Sequence, residues 1–173
     1  MLVLTLGLMA AGARAEETQG ALEVRLKAAY LYKFAGYVEW PSRAPEQPLT
    51  FGIMGDDELA EALTSLVRER PPDARPVEVV RLKGFEPLPP LNVLFIGRAE
   101  SDRLGPLIRY ARGQPILVVT DTEGALALGS MINFTLAAGH IRFEVGLGSA
   151  QRSRLTLSSR LLSVAQVVSR RAP

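Results

Sequence analysis

Four short apolar runs at residues 49–54, 77–82, 91–96 and 116–119 constrain the fold more than any other feature of the chain. The run 116–119 is continuous, without the polar alternation of a half-exposed strand, and this is the pattern of a strand covered on both faces; the other three read as strands from their apolar content and bracketing turns,. Between the first and second runs lies a helical segment, 57–68, with Leu59, Leu63, Leu66 and Val67 facing inward. Between the third and fourth, Ser101 is placed to cap a helix through Arg112 that carries Leu104, Leu107, Ile108 and Ala111 on one face,. Pro71, Pro72 and Pro76 bracket the loop before the second run, and Pro87, Pro89 and Pro90 the loop before the third,. The order strand, helix, strand, strand, helix, strand predicts an α/β single domain, with a mostly parallel central sheet flanked by helices on both faces.

The flanking segments complete this frame. Leu22, Leu26, Ala29, Tyr30, Phe34 and Tyr37 recur at helical spacing, predicting an amphipathic helix over 20–38 that Pro41 ends,. After Asp121 the pattern changes to a helical turn at 122–128 and then two strands, 131–136 and 141–145, around the loop Ala137-Ala138-Gly139, a β-hairpin,. In its second arm Ile141, Phe143 and Val145 alternate with His140, Arg142 and Glu144, one face for the core and one polar. An extended piece at 155–157 precedes a final helix, 159–168, with Leu161, Leu162, Ala165 and Val168 on the sheet. There is no internal repeat, low-complexity tract or flexible linker, so one C-terminal hairpin and a final helix close a single domain.

Residues 1–15 are an apolar run ending in Ala13-Arg14-Ala15 and followed by Glu16-Glu17. The small-x-small ending reads as a secretory signal peptide cleaved after Ala15, which leaves 16–173 as the folded domain; the other reading is a buried first helix. The run is too short to span a bilayer, so the expectation is a soluble exported protein. With 20 basic against 18 acidic side chains there is no basic excess to imply nucleic acid,. The absence of cysteine excludes thiolate metal sites, cysteine nucleophiles and disulfide switching,.

Doubly wound sheets bind ligands at the carboxyl ends of their strands, which here are Gly55-Asp56-Asp57, Gly97-Arg98 and Thr120-Asp121,. A phosphate-accepting receiver domain needs an aspartate after its third strand, where this chain has Gly97-Arg98. Asp56 and Asp121 are read either as caps of the helices that follow or, with Arg98, as a small-anion or amino-acid site. Arg142, Glu144 and Arg160 form either a charged rim around that pocket or an ion-paired surface. His140 is the single histidine, so a histidine metal cluster is excluded, and Ser158-Ser159 serves most simply as a cap,. No Gly-Lys-Ser/Thr loop exists, no cofactor or metal is implied, and no nucleophile, base and orienting residue can be named together, which argues against an enzyme,. Tyr30, Tyr37 and Trp40 cluster at one end of the first helix as core anchors or partner contacts.

The run Lys27-Ala-Ala-Tyr-Leu-Tyr-Lys-Phe-Ala-Gly-Tyr-Val-Glu-Trp-Pro41 resembles the opening motif of the YfiR-like family of periplasmic regulators. Gly129-Ser-Met-Ile-Asn-Phe134 with Ile141-Arg-Phe-Glu-Val-Gly-Leu147, followed by Leu155-Thr-Leu-Ser-Ser-Arg-Leu-Leu-Ser-Val-Ala165, is similar to that family's C-terminal signature, in the same order. The resemblance implies a small exported α/β protein that binds the periplasmic sensor domain of a membrane-bound diguanylate cyclase, or of a sensor kinase. It implies restraint of cyclic di-GMP synthesis and biofilm formation, relief by an outer-membrane lipoprotein, and self-association as a homodimer. The second reading is a periplasmic small-molecule sensor that uses the strand-end crevice. Better-known members carry disulfides tied to redox control, and a chain without cysteine cannot share that property.

Overall fold

The computed structural model describes residues 6–41, 47–71, 73–84, 87 and 89–170, with side chains of the first helix from Gln19 onward. Helix α1 is Leu6–Ala35, followed by a two-residue strand β1, Val38–Glu39. Strand β2 (Leu49–Met54), helix α2 (Asp57–Arg68) and strand β3 (Val77–Leu82) come next, within the limits the sequence predicts. Strand β4 (Val93–Ile96), a 3-10 helix (Arg98–Arg103), α3 (Leu104–Ala111) and β5 (Leu117–Thr120) continue the alternation. The second half comprises α4 (Ala125–Leu128), β6 (Ile132–Ala137), β7 (His140–Gly146), α5 (Leu147–Arg152), β8 (Thr156–Leu157), α6 (Ser159–Val164) and β9 (Val167–Ser169).

The main sheet has seven strands in the order β3-β2-β4-β5-β6-β7-β9. It is parallel from β3 to β6, β7 returns antiparallel to β6, and β9 lies parallel to β7. All four residues of β4 and of β5 are buried, as continuous apolar strands in the middle of a covered sheet must be,. Phe34 of α1 stacks in a cluster with Tyr30, Phe134 and Phe143, at ring separations from 4.8 to 5.9 Å, and so fixes the first helix to the hairpin end of the sheet,. Among the described residues no helix is long and apolar enough to cross a membrane.

The structure corrects several expectations. The first helix starts at Leu6, upstream of position 20, and it ends at Ala35, three residues before the expected 38. Its end is set by tertiary pairing rather than by Pro41, because Val38 and Glu39 leave the helix to pair antiparallel with Leu157 and Thr156. The buried stripe of α1 is Lys27, Ala28, Leu31, Phe34 and Ala35, whereas Leu22, Leu26 and Tyr37 stay exposed. Ser101 lies inside the 3-10 helix and caps nothing, since the helix proper begins at Leu104. The expected final helix stops at Val164, and Val168 belongs to the edge strand β9, where it is exposed. Helix α5 was not expected: it is only six residues long with Gly148 in its first turn, which gives it almost no periodic signal,. Met1 and the remainder of the first five residues, Pro72 and the C-terminal residues 171–173 lie outside the described residues.

The hairpin turn differs in a way that matters for the site. Only Ala138 and Gly139 form the loop, both at positive φ (50° and 74°), a two-residue turn whose twist matches that of the flanking strands,. The turn therefore pairs Ala137 with His140 and, five rungs on, Ile132 with Val145. Strand β6 pairs with β5 through two rungs only, Val119 with Ile132 and Thr120 with Asn133. Residues beyond Asn133, with their partners in β7, consequently project past the carboxyl ends of the parallel strands.

Candidate functional site

The strand order reverses between β2 and β4, the position where doubly wound sheets usually open a crevice,. Here that position is shut. A Cβ on Gly97 would lie 2.6 Å from the Gly55 carbonyl oxygen, and one on Gly55, whose φ is 73°, would lie 2.7 Å from Glu100 Cγ, so the two loop starts touch through bare backbone. The open space lies instead over the end of β5, between α1, the loop leading into α4, and the overhanging hairpin. It is a groove of about 1160 Å³ whose polar end is made by Glu23, Lys27, Arg98 and Asp121. Leu126, Phe134, Leu136 and Ile141 form its apolar wall.

At the polar end, Lys27 donates from Nζ to Asp121 Oδ2 at 3.0 Å and pairs with Glu23 Oε1 at 2.8 Å. Both members of the first pair are withdrawn from water, the lysine side chain 8% and the aspartate side chain 5% exposed. Burial alone would lower the Lys27 pKa, but the hydrogen bonds and charges of Glu23 and Asp121 outweigh it and hold the ammonium above the ordinary lysine value,. Arg98 reaches the same carboxylate more loosely: its Nη2 lies 3.9 Å from Asp121 Oδ2 and donates to the Asp121 carbonyl at 3.4 Å, with the side chain 66% exposed. Asp121 Oδ1 and Thr122 Oγ1 are buried and have no hydrogen-bond partner among the described residues.

A polar row crosses the sheet beside this cluster. Thr120, Asn133 and Glu144 occupy successive strands on one rung. Asn133 Oδ1 accepts from Thr120 Oγ1 at 2.7 Å and from the Thr122 backbone N–H at 3.1 Å, while its Nδ2 donates to Glu144 Oε1 at 2.9 Å. Ser130 Oγ adds a further contact to Thr120 Oγ1 at 2.9 Å. With every hydrogen-bonding atom of the Asn133 amide engaged, the row fixes the backbone turn after β5 and therefore the position of Asp121.

Of the six residues predicted around a pocket, the structure brings Arg98, Asp121 and Glu144 to this groove. Asp56 caps α2, accepting the Leu59 N–H at 2.9 Å. Burial raises its pKa above the ordinary carboxyl range, the Leu59 bond opposes that, and the nearby charge of Asp121 adds to the rise,. Arg142 is exposed on β7, donating to the Ile141 carbonyl, and Arg160 is exposed in the first turn of α6; neither lines the groove. Of the aromatic trio, Tyr30 and Trp40 are partly buried against the core, and Tyr37 is 38% exposed. Sequence reasoning missed Lys27, Glu23, Thr122 and Asn133. The Glu23–Lys27 pair has an i, i+4 spacing that the sequence does display, but nothing in that spacing tells a buried lysine from an exposed one,. No curated protein matches the chain. Its match to the YfiR/HmsC-like family runs over residues 24–166, from the buried half of α1 through α6, and the chain belongs to that family.

Proposed function

We propose that this chain is a periplasmic negative regulator that binds the periplasmic sensor domain of a membrane-bound diguanylate cyclase and restrains cyclic di-GMP synthesis, and with it biofilm formation. The observation that carries the reading is the family match over residues 24–166, since membership in the YfiR/HmsC-like family points to regulation of cyclic di-GMP signalling from the periplasm. The polar side chains at the strand ends are engaged within the fold. Asp56 caps a helix, Asp121 is held by Lys27, and Asn133 is consumed by the row across the sheet. A binding protein acts by mass action: it holds the sensor inactive only to the extent that it prefers the inactive conformation. Exposed apolar side chains available to such a partner include Tyr37 after α1 and Val164 and Val167 around the edge strand β9,.

The test is genetic and biochemical together. Deleting the gene in its host raises cyclic di-GMP, and a tagged copy retains a membrane sensor on purification. Unchanged cyclic di-GMP with no sensor retained removes the proposal. Tyr37→Ala loses sensor binding while its melting temperature stays near that of the parent chain, because the residue is 38% exposed and is not a member of the apolar core.

A further inference from the structure

We propose that the groove at the end of β5 binds a small amine carried on an apolar body, the ammonium donating to Asp121 in place of the Arg98 guanidinium. This goes beyond the regulatory reading and does not depend on the identity of any protein partner. The first observation is chemical. Asp121 Oδ1 is a buried carboxylate oxygen without a donor among the described residues, and an ionised acceptor left unpaired is costly enough that a donor arriving there is well rewarded,. The second is geometric. Lys27 is bonded to Oδ2 and buried, whereas Arg98 stands 3.9 Å from that same oxygen, leaves Oδ1 unpaired and holds only a 3.4 Å bond to the Asp121 carbonyl from a side chain 66% exposed, so the guanidinium is the cation that can leave. Exchanging one cation for another keeps the local charge balance, which binding an anion there would not do.

The charge of the wall points the same way. Glu23, Asp121, Glu123 and Glu144 face the groove against Lys27 and Arg98, an excess of carboxylate that favours a cationic guest,. The remainder of the groove sets the body of that guest. Phe134, Ile141 and Leu126 offer an apolar wall, and Leu136, 54% exposed at its lip, is an apolar side chain in want of a cover,. A carboxylate head would meet the carboxylate excess at the polar end,.

Phenethylamine is the probe, titrated calorimetrically into the full chain at neutral pH, with phenylacetate and L-phenylalanine as the same body bearing an anionic or a zwitterionic head. Phenethylamine is expected to bind at millimolar concentration or better while the other two bind at least about tenfold more weakly, the ratio that roughly 1.4 kcal/mol supplies. Arg98→Ala, at an exposed position where folding is not at stake, is expected to tighten phenethylamine by removing its competitor. Leu136→Ser is expected to weaken it. The inference fails if no probe binds, if phenylacetate or L-phenylalanine binds as well as the amine, or if Arg98→Ala weakens the amine. These results are independent of cyclic di-GMP levels, so the failure of one proposal leaves the other standing.

Discussion

Lys27→Met removes the ammonium from a pair whose carboxylate is almost fully buried, while the methionine keeps the apolar stem that packs beneath α1. The parent pair has Nζ 3.0 Å from Asp121 Oδ2, with the two side chains 8% and 5% exposed. Taking away one member of a buried pair strands the other charge, a change that typically costs about 3–5 kcal/mol. Two features place this site near the lower bound. Glu23, the second partner, is 28% exposed and regains water, and Arg98 can close its 3.9 Å gap to Asp121. The expected loss is therefore about 3 kcal/mol, which for a domain of this size corresponds to a fall in melting temperature of roughly 6–12 °C. The control is the double variant Lys27→Met, Asp121→Asn, which removes the stranded charge and should recover a substantial part of the loss. Thermal unfolding followed by circular dichroism reads both. If Lys27→Met melts within about 2 °C of the parent chain, or if the double variant loses the simple sum of the two single effects, the pair is not the fastening inferred from its burial.

Three further outcomes follow from the same structure. Asp56→Ala should cost about 1 kcal/mol by removing the α2 cap, whereas Asp56→Asn keeps an acceptor and should be close to neutral. Because burial raises the folded pKa of Asp56, the folded chain holds the protonated form better than the ionised one; the linked contribution to stability is fully present below the ordinary carboxyl range and is lost as pH rises through the folded value, leaving the capping bond itself,. Asp56→Asn should accordingly flatten that part of the acid stability profile measured by denaturant titration, and a profile unchanged by the substitution would contradict the assignment. Ala138→Asn should stabilise by several tenths to about 1 kcal/mol, since an alanine held at φ 50° pays the left-handed penalty that asparagine tolerates better,; an unchanged or lower melting temperature would refute this. Gly97→Ala should be among the more damaging of small substitutions, because its Cβ would meet the Gly55 carbonyl at 2.6 Å, and a parent-like melting temperature would show that the two loops can separate,.

Much of the fold was legible because its central elements carry their own periodicity. The apolar run at 49–54 and the Val-rich run at 77–82, with the helix 57–68 between them, specify a βα unit locally, and the structure keeps those limits. The motifs likewise carried the family reading, because the strings at 27–41, 129–134, 141–147 and 155–165 are each contiguous. Where the sequence was silent, the deciding interaction was non-local. Residues 167–169 have an amphipathic pattern that suits the end of a helix, but the open edge of β7 offers backbone hydrogen bonds that draw Val167, Val168 and Ser169 into a strand. The first helix gives up Val38 and Glu39 to residues more than a hundred positions away for the same reason.

The site shows the division most sharply. The amino-acid sequence alone determined that Asp56, Arg98 and Asp121 stand at strand ends and that the chain has neither a thiol nor a histidine cluster for chemistry. Tertiary structure decided which of these share a groove. A three-residue loop at 137–139 would have set Asn133 against Phe143; the two-residue turn moves the register by one and places Asn133 opposite Glu144, which completes the polar row and turns Asp121 toward Lys27,. Closure of the usual crevice by the Gly55–Gly97 contact, and its replacement by a groove beneath the hairpin, depends on how far β6 runs past β5. Periodicity reports which residues turn inward along one element, but register and overhang are relations between elements, and they are set by the packing that chain neighbours do not encode.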